Sequence, residues 1–238
     1  MIWVKDRTGR FPKRPHYERD ELDVECERTV DHFLRGRHGS IKYPISTDDL
    51  TILLEQNVGN LDLYATDAEL GEDVEGVTDF FSKGKPDVRI NSRLTADARY
   101  ENRLRTTLTH ELGHVKLHAF MYTDLVVTPS LFDPPGKPQS NQCKRSNMLP
   151  MTETDWMEWQ AGFACGAYLM PITALRRTVN EFTTVSGISL PTITADSSEG
   201  RSLIARVALD YGVSKDAARV RLIQRNLLVP GDISEALF

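Results

Sequence analysis

Apolar residues recur at helical spacing in several separated stretches of the chain, and at strand spacing in one region between them. In residues 18–34 the positions Leu22, Val24, Cys26, Val30, Phe33 and Leu34 fit one helix, closed by Arg35-Gly36. Residues 1–17, rich in Arg, Lys and Pro, read as an extended arm ahead of it. A second helix opens with Ser46 or Thr47 as its cap and Asp48 and Asp49 in its first turn, and buries Leu50, Ile52, Leu53 and Leu54. Between residues 61 and 93 the period changes. Residues 61–64 and 87–90 alternate, residues 76–81 follow an acidic turn, and together they predict a small antiparallel sheet with residues 87–90 as its edge.

The sheet leads through residues 94–100 into a segment where Leu104, Leu108, Leu112, Val115 and Leu117 form the apolar stripe of a helix. Residues 123–152, with Pro129, Pro134, Pro135, Pro138 and Pro150, predict a long connection, either a lid or specificity element or a surface insertion. Residues 155–171 carry small and apolar side chains close enough together for a buried helix, and Pro171 marks its end. After a Thr- and Ser-rich loop or hinge over residues 183–200, residues 201–228 read as helix, turn, helix around Gly212-Val213-Ser214.

The chemistry sits on two of these helices. His110-Glu111-Leu112-Gly113-His114 is an H-E-x-x-H motif. Residues four apart on a helix share a face, so the two imidazoles can reach one ion. Glu111, one step on, is turned away from both and is a candidate general base acting on a water at that ion. Two histidines spaced by chance on an amphipathic helix would look the same in isolation, but a buried histidine needs a partner and a metal supplies one. A catalytic zinc commonly has three protein ligands. Glu158, a carboxylate between Trp156 and Trp159, is assigned as the third, with Asp155 as runner-up; the competing role for Glu158 is a first-turn charge favoured by the helix dipole. His118 lies about 12 Å along the helix axis from His110 at about 1.5 Å per residue, too far to share an ion, and reads as a helix-end or supporting histidine. Tyr100, Tyr122 and Tyr168 are oxyanion partners by residue type only.

Composition narrows the classes. A chain of 238 residues with net charge −5 has a core-forming apolar fraction and is not built to coat nucleic acid. The basic residues Lys215, Arg219, Arg221 and Arg225 leave DNA contact by the C-terminal helices as the lesser expectation beside plain helical packing. Cys26, Cys143 and Cys165 are widely spaced with no C-x-x-C pair, which predicts idle or buried thiols rather than a disulfide scaffold. No apolar run reaches the length of a membrane span and residues 1–7 lack the apolar core of a secretory signal, so the expected location is the cytoplasm, with no membrane partner.

Two blocks carry a family resemblance. Residues 109–118, and the stretch from Cys143-Lys144-Arg145 through Glu158-Trp159-Gln160-Ala161-Gly162-Phe163-Ala164 to Leu169-Met170-Pro171, resemble the ImmA/IrrE family of zinc metallopeptidases. Residues 211–222 are similar to the family's common C-terminal stretch, and Gly162 stands where the family's A-N-x-F-A pattern has Asn. The resemblance covers roughly residues 41–228. It implies a zincin-like fold, zinc held by His110, His114 and Glu158, and Glu111 as catalytic base. It also implies a substrate class, because members of known function cleave helix-turn-helix repressors.

The expectations are therefore an α+β, zincin-like chain, mainly helical, with a small antiparallel sheet beside the H-E-x-x-H helix and a C-terminal helix-turn-helix-like segment. Its expected parts are an arm and helix over 1–40, a metallopeptidase domain over 41–182 and a helical segment over 183–238. Its expected activity is zinc-dependent hydrolysis of a peptide bond in a transcriptional repressor or similar regulatory protein. The alternative is a non-catalytic metal-binding regulator, or a toxin–antitoxin component, that binds a repressor or DNA without cutting.

Overall fold

The computed structural model describes residues 1–123, the backbone of 139–144, and residues 155–187 and 193–231. In chain order the elements are β1 (Ile2–Lys5), β2 (Lys13–His16), α1 (Arg19–His38), α2 (Thr47–Glu55), β3 (Leu61–Ala65), α3 (Asp67–Leu70), β4 (Val74–Phe80), β5 (Asp87–Asn91), α4 (Ser92–Thr95), α5 (Glu101–His118), β6 (Gln139–Lys144), α6 (Trp156–Leu169), α7 (Ile172–Ser186), α8 (Ser198–Tyr211) and α9 (Lys215–Gln224). Short 3-10 turns precede and follow α5, at Ala98–Tyr100 and Ala119–Tyr122. The fold is α+β, as the alternation of periods predicted. No helix among the described residues is long and apolar enough to cross a membrane.

The chain forms two compact units, each discontinuous in sequence: Met1–Leu22 with Thr47–Cys165, and Asp23–Ser46 with Gly166–Phe238. In the first unit, residues expected to be an extended arm instead pair as an antiparallel hairpin, with Trp3 opposite Pro15 and Val4 opposite Arg14. Its Phe11 joins Phe80, Met121, Tyr122, Trp156 and Met157 in one buried cluster, where the Phe80 and Tyr122 rings stack at 4.2 Å.

The sheet of this unit corrects two expectations. Its order is β3-β5-β4-β6, so β5, expected at the edge, lies inside, and the edges are β3 and β6. Val88 and Ile90 are both fully buried, as an interior strand requires. The sheet is also mixed rather than antiparallel: β3 runs parallel to β5, while β4 is antiparallel to both β5 and β6. Strand β6 falls within the expected long connection. Its sequence, Gln-Ser-Asn-Gln-Cys-Lys, has no apolar alternation to announce a strand, and its pairing is supplied by the β4 backbone. The rest of residues 123–152, and the lid or specificity role considered for them, lies outside the described residues apart from Thr123.

In the second unit, α1 runs through Gly36 to His38, one turn beyond its predicted close. Its buried face includes Asp23, while Val24, assigned to the apolar stripe, is 65% exposed. Asp23 forms a buried ion pair with Arg221 and a second contact with Arg225 at 2.8 Å. Pro171 ends α6 as predicted and at once caps α7, which runs on through residues 183–186, where a loop or hinge was expected to begin. Helices α8 and α9 confirm the helix, turn, helix reading, with Ser214 capping α9 by accepting the Ala217 N–H at 3.1 Å. Of the basic residues considered for DNA, Arg221 is 1% exposed and Arg219 binds Asp196 at 2.6 Å. With Arg221 and Arg225 turned inward onto Asp23, these arginines hold the unit together.

Candidate metal centre

Helix α5 presents two working faces. Thr107 and Glu111, four apart, lie against β4, and His110 and His114, four apart, lie toward α6. Close approach on both sides depends on missing side chains. A Cβ on Gly113 would sit 2.9 Å from Ala161 Cα, so α5 and α6 touch backbone to backbone there. A Cβ on Gly76 would sit 2.6 Å from Glu111 Oε1, so β4 can carry the carboxylate only because this position is Gly.

That proximity brings Glu158, one turn before Gly162 on α6, onto the two imidazoles. His110 Nε2 lies 3.2 Å from Glu158 Oε2, His114 Nε2 lies 3.2 Å from Glu158 Oε1, and the two Nε2 atoms are 3.1 Å apart. Ligands about 2.0–2.2 Å from one tetrahedral ion stand about 3.3–3.6 Å apart, so the three side chains fit a single divalent cation with little adjustment. The structure thus contains a triad, His110, His114 and Glu158, that could hold a metal ion. Asp155, the runner-up, is engaged elsewhere: it takes Arg10 Nη2 at 2.7 Å and the Met157 N–H at 3.1 Å.

Glu111 is fully buried and half satisfied. Thr78 Oγ1 donates to Oε2 at 2.5 Å, while Oε1 has no hydrogen-bond partner among the described residues. A buried carboxylate oxygen without a partner calls for a water, an ion or a substrate group beside it. Burial raises the Glu111 carboxyl above its ordinary value, against the pull of His114, His110 and the Thr78 hydroxyl. Burial lowers His114, but the carboxylate of Glu158 and then that of Glu111 outweigh it and the net shift is upward. Glu158 moves the other way: burial pushes it up, yet His114 and His110 hold it well below the usual carboxylate range. A site that stabilises a carboxylate beside two imidazoles is suited to a cation.

The outer contacts are ordered too. Helix α5 continues unbroken to His118, whose Nδ1 lies 3.1 Å from His114 Nδ1, so His118 contacts the triad from outside it. Burial, reinforced by His114, holds the His118 imidazole well below its ordinary range. Among the tyrosines named by type, Tyr122 points its hydroxyl at Met157 Sδ, 3.8 Å away, and Tyr100 stands exposed ahead of the first turn of α5; Tyr168 is buried in the second unit. Among the described residues, neither Tyr100 nor Tyr122 makes a hydrogen bond to the triad. Sequence reading missed Gly76, Thr78 and Gln160. Gln160, two residues after Glu158 in an apolar helix, is the one whose position carried a signal, since a polar side chain there has to be paired.

Comparison with models of known protein families and with curated proteins finds no match.

Proposed function

We propose that the triad holds zinc and that the chain is a zincin-like metallopeptidase of the ImmA/IrrE type, cutting a peptide bond in a regulatory protein such as a helix-turn-helix repressor. The observation that carries this reading is the buried Glu111 Oε1, which has no hydrogen-bond partner among the described residues and belongs to a carboxylate within electrostatic reach of His110, His114 and Glu158. A purely structural metal site has no use for a base between its ligands, and two histidines with one glutamate is a known catalytic donor set that leaves a position open.

Bound there, zinc would supply Lewis acidity toward the scissile carbonyl and make water more acidic. Glu111 Oε1 accepts the proton of the attacking water and returns it to the leaving amine. Thr78 holds the other carboxylate oxygen and keeps the carboxylate from rotating, which leaves Oε1 as the oxygen free to take a proton. Glu158 completes the ligand set, and the buried faces of α5 and α6 keep bulk water from His110 and His114. The repressor as substrate class is supported by the sequence resemblance.

The test compares the wild type with Glu111→Gln after each is incubated with a bacterial protein extract, reading newly formed amino termini by mass spectrometry. A peptidase gives new termini, in regulatory proteins first, that vanish in Glu111→Gln while its metal content is unchanged. Equal sets of termini from both proteins would overturn the catalytic reading and favour a regulator that binds without cutting.

A further inference from the structure

The inner ligand His114 is tied to the N-terminal hairpin by a chain of hydrogen bonds that ends on a backbone carbonyl. His114 Nδ1 and His118 Nδ1 are 3.1 Å apart, and His118 Nε2 lies 3.0 Å from Gln160 Oε1. Gln160 Nε2 in turn lies 3.0 Å from the carbonyl oxygen of Pro15, in β2. All the side chains in this chain are at most 1% exposed.

We infer that the Pro15 carbonyl, acting through Gln160 and His118, decides which ring nitrogen of His114 is left free to take a metal. A carbonyl can only accept, so the Gln160 amide must turn its NH2 toward Pro15 and its oxygen toward His118. Facing an acceptor, His118 Nε2 carries the proton, and in the neutral ring Nδ1 is then an acceptor. The opposing His114 Nδ1 therefore donates and is occupied, which leaves Nε2, the nitrogen that faces Glu158 and His110, as the one a metal can take in place of a proton. Every step has one permitted direction, and the direction is set by a carbonyl 99 residues before His114 in sequence.

The His118 ring is held in the plane this requires. Trp156 meets it edge-on at 5.4 Å, and Arg14 of the hairpin covers the Trp156 ring at 5.5 Å. Arg10 binds Asp155 ahead of α6 at 2.7 Å. The hairpin is thus a positioning element for the helix that bears Glu158 and for the tautomer of His114. Outer hydrogen bonds of this kind orient a histidine ligand and raise its basicity.

This inference rests on the metal reading for its consequence and not for its geometry, and the test separates the two. Two-bond proton–nitrogen correlation spectra of the metal-free full chain assign the ring nitrogens. The expected result is His118 protonated at Nε2 and bare at Nδ1, with His114 protonated at Nδ1. The reverse tautomer of His118 would overturn the relay even if the protein binds metal. The expected tautomers with no zinc uptake would instead sink the metal reading, together with the role given to the relay. In Gln160→Met, zinc affinity measured by chelator competition is expected to fall by about 10–100-fold. In the same variant the His118 signals are expected to lose the single-tautomer pattern. If Gln160→Met folds and keeps both wild-type affinity and the wild-type His118 tautomer, the positioning role is overturned; if it fails to fold, the wild-type spectrum decides alone.

Discussion

Gly113 lies backbone to backbone against Ala161: a Cβ at Gly113 would stand 2.9 Å from Ala161 Cα and 3.0 Å from its carbonyl oxygen. This contact sets the spacing between the helix that carries both histidines and the helix that carries Glu158. In an ordinary helix interior, Gly→Ala stabilises by about 0.5–1 kcal/mol. Here the added methyl overfills the contact, and Gly113→Ala is expected to destabilise by about 1–3 kcal/mol and to weaken metal binding with it. Urea unfolding with and without zinc measures both effects, and a stabilised Gly113→Ala would contradict the close packing.

Gly76 makes the matching contact on the other face of α5. Gly76→Ala puts a methyl 2.6 Å from Glu111 Oε1, so the carboxylate has to move. With the ligand triad untouched, metal content is expected to stay at the wild-type level. Turnover should fall by about 100-fold, the cost of misplacing a reacting group by roughly 1 Å. Cleavage rates on any substrate found for the wild type, read beside metal content, check this split.

Burial pushes the Tyr122 phenol from 10.0 up to about 12. Its folded value is above its unfolded value, so the stabilisation is full below pH 10 and is lost as pH rises toward 12. Between those limits the group accounts for about 2–3 kcal/mol of lost stability. Tyr122→Phe keeps the ring that stacks on Phe80 and removes the ionisable group. Its unfolding free energy should therefore decline less steeply than that of the wild type between pH 10 and 12, and parallel declines would contradict the assignment.

In the second unit, Asp23 neutralises the buried guanidinium of Arg221, which also reaches the Met170 carbonyl at 3.3 Å. Asp23→Ala leaves that charge buried without its carboxylate and is expected to cost about 3–5 kcal/mol. Asp23→Leu with Arg221→Met removes the fully buried pair and leaves Arg225 without the Asp23 carboxylate, so part of the loss should return. Chemical denaturation of the single and double variants gives the comparison directly.

What could be read from the sequence follows from how local each cause is. The pair His110 and His114 and the proposed base Glu111 were legible because one helix fixes their spacing. Glu158 was legible as an unpartnered carboxylate in an apolar helix, and geometry then separated it from Asp155. The place of β5 inside the sheet was not legible, because β3 joins its far side as a parallel neighbour across a crossover, a pairing that no local turn signal announces. Thr78 and Gly76 were hidden for a similar reason: their importance comes from a helix that packs on them from more than 30 residues away in sequence. Nothing in the helical pattern around Val24 marks Asp23 as buried, because its partners Arg221 and Arg225 are distant in sequence.

The central claim is that His110, His114 and Glu158 bind one metal ion. Elemental analysis of the purified protein, beside His114→Ala and Glu158→Ala, tests it most directly. The account predicts about one zinc per chain in the wild type and loss of it in both variants, since each removes one of three protein ligands. A wild type that takes up no divalent metal, or variants that keep the full amount, would contradict it.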